Sequence, residues 1–129
     1  MRYLSLEDIL QLHFFAIEEY GGSHGVRDEK RLQSVIDAPR QELFGAQQYV
    51  SVCEKAAVYM RNIIGDHPFA DGNKRTGVMT GVVFMTRNGF HLHATPKELE
   101  DFAVQIAVEQ LDVAAITVWL ENHSDSNKP

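Results

Sequence analysis

Cysteine is almost missing from this chain: Cys53 is the only one in 129 residues. No internal disulfide can form, which suits a reducing compartment and a fold that holds without cross-links. Cys53 is therefore expected to pack in the core. Long apolar runs are missing too, so no segment reads as a bilayer span. Met1 leads within a few residues into a polar helix start instead of a signal peptide, and a soluble, cytoplasmic protein is expected. Positive charge is also scarce, with 12 Lys and Arg against 18 Asp and Glu and a formal net charge of −6. That excludes a general nucleic-acid binder, which displays a basic face. There is no internal repeat, no low-complexity tract, and no GxxxxGK[ST] spacing of a Walker phosphate loop.

What is present is 44% hydrophobic residues, enough in a chain of this length for one domain with one core. The pattern is helical throughout. Ser5 and Asp8 open a first segment whose face carries Leu6, Ile9, Leu10, His13 and Ile17, and Gly21-Gly22 closes it. His13, on that apolar face, reads first as a hydrogen-bonded core histidine and second as a partner contact. A shorter helix follows Asp28 through Leu32, Val35 and Ile36 until Pro39 stops it. RQELFGAQQY reads as a loop. Ser51 and Glu54 make a capping box for a helix carrying Ala57, Val58, Met60 and Ile64 up to Gly65. A buried helix follows, with Gly77 and Gly81 on one face for close approach of a neighbour, and Asn88-Gly89 ends it. His91 and His93 alternate in a short extended piece. A zinc reading lacks a third ligand there, so surface placement is expected. Thr95, Pro96 and Glu98 start a fifth helix and Asp112 a sixth, in which Val113, Ile116, Trp119 and Leu120 read as core. The expected organisation is one all-α domain over 1–122, of about six helices, and a frayed polar tail over 123–129.

The chemistry is concentrated in His67 to Gly77, HPFADGNKRTG. An imidazole, ordinarily titrating near about 6.5, can take a hydroxyl proton at neutral pH, which makes His67 a candidate general base. Asp71 is a hard oxygen ligand, and one carboxylate with a nucleotide's phosphates is a common way to hold Mg²⁺. Gly72 lets the backbone turn sharply against a ligand. Asn73, Lys74, Arg75 and Thr76 then open a helix, whose free N–H groups and dipole favour an anion. Arg75 adds a bidentate fork and Lys74 a point charge, a pair suited to polyphosphate. Singly, these residues have plainer readings: His67 as a loop histidine bonded to backbone, Asp71 and Asn73 as helix caps. Two cations in a helix's first turn oppose the dipole, however, and so call for an anion.

This motif resembles that of the Fic/Doc family, His-x-Phe-x-(Asp/Glu)-Gly-Asn-Gly-Arg-x-x-Arg, at His67, Phe69, Asp71, Gly72, Asn73 and Arg75. Lys74 stands where adenylylating members have glycine and Val78 where they have the second arginine. Both departures, with MRYLSLEDILQLH, EEYGGSHGVRD and RNGFHL, are similar to the Doc, or death-on-curing, branch. The resemblance covers nearly the whole chain. It implies a Fic/Doc fold and a toxin that transfers the γ-phosphate of ATP to a Thr or Ser hydroxyl of a translation factor, with elongation factor Tu the first candidate. In it His67 is the base and Asp71 holds Mg²⁺, with Asn73 and Arg75 also catalytic. Gly72, Asn73, Lys74, Arg75 and Thr76 bind the nucleotide. Leu43, Phe44 and Gly45 fall where the family has a flap that aligns the target segment; packing of Phe44 on the domain is an equal alternative. A separate Phd-like antitoxin whose C-terminal segment folds into a groove is the implied partner. Thr117, Glu121 and Asn122 loosely match a self-inhibitory pattern of other Fic proteins, but their helix reads as domain core. Adenylylation at the same site, and a non-catalytic antitoxin-binding module, are the competing readings.

Overall fold

The six expected helices form in order: α1 (Leu6–Tyr20), α2 (Glu29–Asp37), α3 (Val52–Asp66), α4 (Asn73–Arg87), α5 (Pro96–Glu109) and α6 (Val113–Asn122). They are seen in a computed structural model that describes residues 1–126. The caps are those the sequence indicates. Ser5, Ser51 and Thr95 each accept from the third helical N–H and close a full capping box, while Asp28 and Asp112 cap α2 and α6 through single side-chain bonds. Each such cap is worth about 1 kcal/mol, which lets helices of 9 and 10 residues start at fixed positions.

The most enclosed element is α3. Its residues Ala56, Ala57, Val58, Tyr59, Met60, Ile63 and Ile64 are all buried, and it packs against α2, α4, α5 and α6. Its approach to α4 depends on the two glycines. A methyl group at Gly77 would lie 2.6 Å from Ile64 Cγ1, and one at Gly81 would overlap Met60 Sδ. The helices are therefore closer than any side chain there would allow. Cys53 is buried, as expected. Trp119 is only half-buried: it is stacked between Phe102, 4.0 Å away, and His123, 3.8 Å away, on the edge of the core instead of within it.

Two expectations are corrected. The stretch expected as a loop after Pro39 holds a 3-10 turn (Ala38–Arg40) and a small hairpin, β1 (Glu42–Leu43) with β2 (Ala46–Gln47), turning on Phe44-Gly45. The tail expected to fray from His123 instead pairs as far as it is described. β4 (Ser124–Ser126) runs antiparallel to β3 (Phe90–Leu92), with Leu92 opposite Ser124 and Phe90 opposite Ser126. The pairing satisfies backbone groups of both segments, and the ring of His93 meets the carboxylate of Asp125. Residues 127–129 of that expected tail lie outside the described residues. His91 and His93 are exposed, and among the described residues no cluster of three metal-ligating side chains occurs.

Candidate active site

The loop from His67 to Gly72 joins the C-terminus of α3 to the N-terminus of α4. Pro68 disfavours the right-handed helical conformation at the preceding residue, so α3 ends at His67, which is left-handed with φ 51° and ψ 60°. For a residue with a Cβ this costs about 1–2 kcal/mol and persists only where surroundings hold it. The hold comes from the segment after α1. Arg27 Nε donates to His67 O at 2.7 Å and its Nη2 to Asp66 O at 2.9 Å. The backbone N–H groups of Arg27 and Asp28 donate to Pro68 O, Ala70 N–H donates to Gly25 O, and Val26 pairs with Phe69. The imidazole itself is exposed. Its Nδ1 donates to Gly65 O at 3.1 Å, which selects the Nδ1–H tautomer and leaves Nε2 with the lone pair that a general base needs.

Asp71 is exposed. Its Oδ2 accepts from Ser23 N–H at 3.1 Å and its Oδ1 from Gly72 N–H at 2.8 Å. These bonds, that from Ser23 first, hold its carboxyl below the usual carboxylate range, so it is fully ionised at neutral pH. The contact is close: a methyl group at Gly22 would lie 2.7 Å from Asp71 Oδ2. His13 supports the same turn from beneath. Its ring stacks on Phe69 with centroids 3.8 Å apart, and Nε2 donates to Asp71 O at 2.9 Å. It is thus the hydrogen-bonded core histidine that the helical pattern predicts. Burial pushes the titration of His13 down from its ordinary value.

Asn73 and Thr76 differ from the sequence expectation. The Asn73 side chain is buried and spent on Phe69, accepting from its N–H at 3.1 Å and donating to its carbonyl at 3.0 Å. It shapes the turn from within, while the residue still borders the cleft at the start of α4. Thr76 is fully buried. Its N–H is already committed to Gly72 O at 3.0 Å, and its Oγ1 is a buried hydroxyl without a hydrogen-bond partner among the described residues. The expected nucleotide contact of Thr76 is therefore withdrawn.

Gly72, with φ 74°, caps α4 without any side-chain bond. The first-turn N–H groups thus lack the side-chain acceptor that the starts of α1, α3 and α5 possess. Here the two cations stand apart. Lys74 is exposed, whereas the Arg75 guanidinium lies flat over the Tyr20 ring, 3.5 Å from its centroid. A cleft of about 390 Å³ opens from this corner between α4 and α5, within the usual size range of small-molecule sites. Its mouth carries Asp71, Gly72, Lys74 and Arg75, and its wall is apolar, from Val78, Met79, Leu99 and Ala103. His67 stands outside that lining. A second, wider groove of about 900 Å³ runs between α3 and α6 and includes Thr117 and Glu121. Glu121 thus belongs to the other groove, and Thr117 Oγ1 donates to Val113 O within its own helix, in keeping with a structural helix.

Leu43, Phe44 and Gly45 form the exposed tip of the β1–β2 hairpin. Phe44 is fully exposed with φ 52°, which excludes packing on the domain. The base of the hairpin is tied down by a residue no pattern singled out. Lys55 of α3 is completely buried and donates through Nζ to Pro39 O at 2.7 Å and Gln47 Oε1 at 2.9 Å, with the Tyr3 ring 5.2 Å away.

The Fic/DOC family profile matches residues 3–85, and the chain belongs to that family. It is 30% identical over 116 residues to a protein named Protein kinase doc, of Escherichia phage P1, an alignment covering 90% of each chain. It is also 30% identical over 120 residues to Toxin Doc of Mycolicibacterium smegmatis, covering 92% of this chain and 90% of that one.

Proposed function

We propose that this protein is a Doc-type toxin that transfers the γ-phosphate of ATP to a threonine or serine hydroxyl of a translation factor, with elongation factor Tu the first candidate. The names of the two relatives, a kinase and a toxin, support the class. The observation that carries the chemistry is the pairing of His67, fixed as the Nδ1–H tautomer, with the cationic, uncapped start of α4. His67 Nε2 takes the proton of the target hydroxyl, the oxygen attacks the γ-phosphorus, and the bond to the β–γ bridging oxygen breaks to release ADP. Lys74, Arg75 and the first-turn N–H groups neutralise the phosphates as charge moves to the leaving oxygen. Phe44 and Leu43 on the hairpin would hold the target segment alongside.

The acidic side of the site fits a divalent cation held chiefly by the nucleotide. Asp71 is ionised and exposed, and each of its oxygens keeps a lone pair beyond the N–H it accepts. No group of three or more metal-ligating side chains occurs among the described residues, so Asp71 would hold Mg²⁺ chiefly together with phosphate and water oxygens. When bound, the ion would offset negative charge on the transferring phosphoryl group.

Adenylylation by the same base is the competing reaction. Against it, the cleft carries Lys74 and buried Val78 where adenylylating relatives of the family would have glycine and a second arginine. Inhibition by a Phd-like antitoxin, whose C-terminal segment folds onto the toxin, completes the proposal. Incubating the protein with purified elongation factor Tu and ATP labelled separately at the α- and γ-phosphorus is the direct test. Label from the γ-position on the factor is expected, and Lys74→Gly should reduce it. Label from the α-position would overturn the kinase reading in favour of adenylylation, and no label would exclude this factor as the target.

A further inference from the structure

Arg27 belongs to no part of the motif, yet its side chain binds the carbonyls at the junction that presents His67. Its guanidinium spans two successive carbonyls, Asp66 O at 2.9 Å and His67 O at 2.7 Å, through Nη2 and Nε. Because those nitrogens sit in one rigid plane, the two bonds fix the orientation of both peptide groups. Its own N–H adds a third bond, to Pro68 O at 2.8 Å. The last turn of α3 has no basic residue of its own, so Arg27 supplies the positive charge that a helix C-terminus favours.

The neighbouring arginines do something else. Arg61 and Arg31 address the Asp66 carboxylate, at 3.1 and 3.8 Å, and leave the carbonyls to Arg27. Arg27 also keeps clear of the nucleotide cleft, which it does not line.

We propose that Arg27 is a positioning residue for His67: by clamping the carbonyls of Asp66 and His67 it holds the left-handed backbone that aims Nδ1 at Gly65 O, and so sets the tautomer with its base nitrogen free. This rests on His67 acting as the base. The steps are short. The φ of 51° at His67 is unfavourable for a residue with a side chain. Released from the clamp, the 66–67 backbone is free to return to negative φ, which carries the ring away from Gly65 O. Neutral imidazole without that acceptor then populates both tautomers, and one of them has no lone pair on Nε2.

The test reads the ring itself. Long-range ¹H–¹⁵N correlation spectra, at a pH where imidazole is neutral and with signals assigned from His67→Ala, report which His67 nitrogen carries hydrogen. The wild type is expected to show the Nδ1–H form alone. Arg27→Met is expected to show a mixture, and Arg27→Lys, which can reach one carbonyl, an intermediate state. In γ-phosphate transfer to elongation factor Tu, kcat should fall roughly 10–100-fold for Arg27→Met, as for a reacting group misplaced by about an ångström. KM for ATP should stay unchanged. If either folded variant keeps the wild-type tautomer, or if KM rises while kcat holds, the proposal is overturned. Should Arg27→Met fail to fold, Arg27→Lys decides by the same spectra. The reading of His67 as base fails separately, if His67→Ala retains transfer.

Discussion

At His67 the imidazole is exposed and its loop is held through its carbonyls, by the Arg27 side chain and by main-chain N–H groups. Replacing it with alanine removes the base while leaving those bonds in place. His67→Ala should therefore slow phosphate transfer by roughly 10²–10⁴-fold, the usual worth of general-base help, and abolish growth arrest on expression. Thermal melts should match those of the wild type within a few degrees, and a folded variant that remains equally toxic would exclude the assignment. Asp71 permits a finer test, because Asn keeps its acceptor for Ser23 but loses the charge. Asp71→Asn is expected to be inactive at ordinary Mg²⁺ and to recover in part at high Mg²⁺, and wild-type transfer should stop in a chelator. Transfer undiminished by chelation would remove the metal role. The motif showed which residue types gather here. It did not show that Asn73 and Thr76 point inward, because helical spacing fixes a residue's face only once its packing partner is known. The polar atoms of both are committed or enclosed around Phe69 and α4.

Among the elements, the helices were legible and, of the strands, only β3 as an extended piece without its partner, for a physical reason. Every helix except α4 is announced by a side-chain cap within three residues of an apolar periodic run, as at Ser51 and Glu54. The β1–β2 hairpin has only two residues per strand, too few for alternation, and β3 finds its partner far along the chain, Phe90 pairing with Ser126 and Leu92 with Ser124. Lys55 was hidden in a run read simply as helix. Its burial, with no carboxylate partner among the described residues, predicts an unusual variant. Lys55→Met fills the space but strips a donor from Pro39 O and Gln47 Oε1, costing about 1–3 kcal/mol if those acceptors stay dry and loosening the hairpin. Denaturant titration should register the first effect, and faster proteolysis between Gln41 and Gln48 the second. A hairpin protected as in the wild type would mean that Lys55 does not anchor it. On the facing helix, Gly77→Ala should cost about 1–3 kcal/mol by forcing α4 off Ile64, again read by denaturant titration.

For the molecule as a whole, acid should act first through His13. Burial holds its folded-state pKa below the ordinary 6.5, so the unfolded chain binds the proton more readily. The stability that neutral His13 confers is thus complete above about pH 6.5 and lost as pH falls through the depressed folded value. Carboxylates whose pKa is lowered, Asp8 through Arg87 and Glu98 through Thr95, follow the same sign at lower pH, below their ordinary values of 3.8 and 4.5. Comparing melting temperatures near pH 7 and pH 5 should show a larger drop for the wild type than for His13→Gln, and equal drops would acquit His13.

The order in which the chain is made gives the brace around His67 another meaning. Ser23, Gly25 and Arg27 leave the ribosome about 40 residues before the loop they hold, and His13 leaves 58 residues before the Asp71 carbonyl that it meets. Such distant pairings close late in folding, because the loop entropy must be overcome first. A chain made past the motif but not yet folded therefore carries all of it without its geometry. Under the toxin function proposed above, lethality would begin only when the complete fold closes.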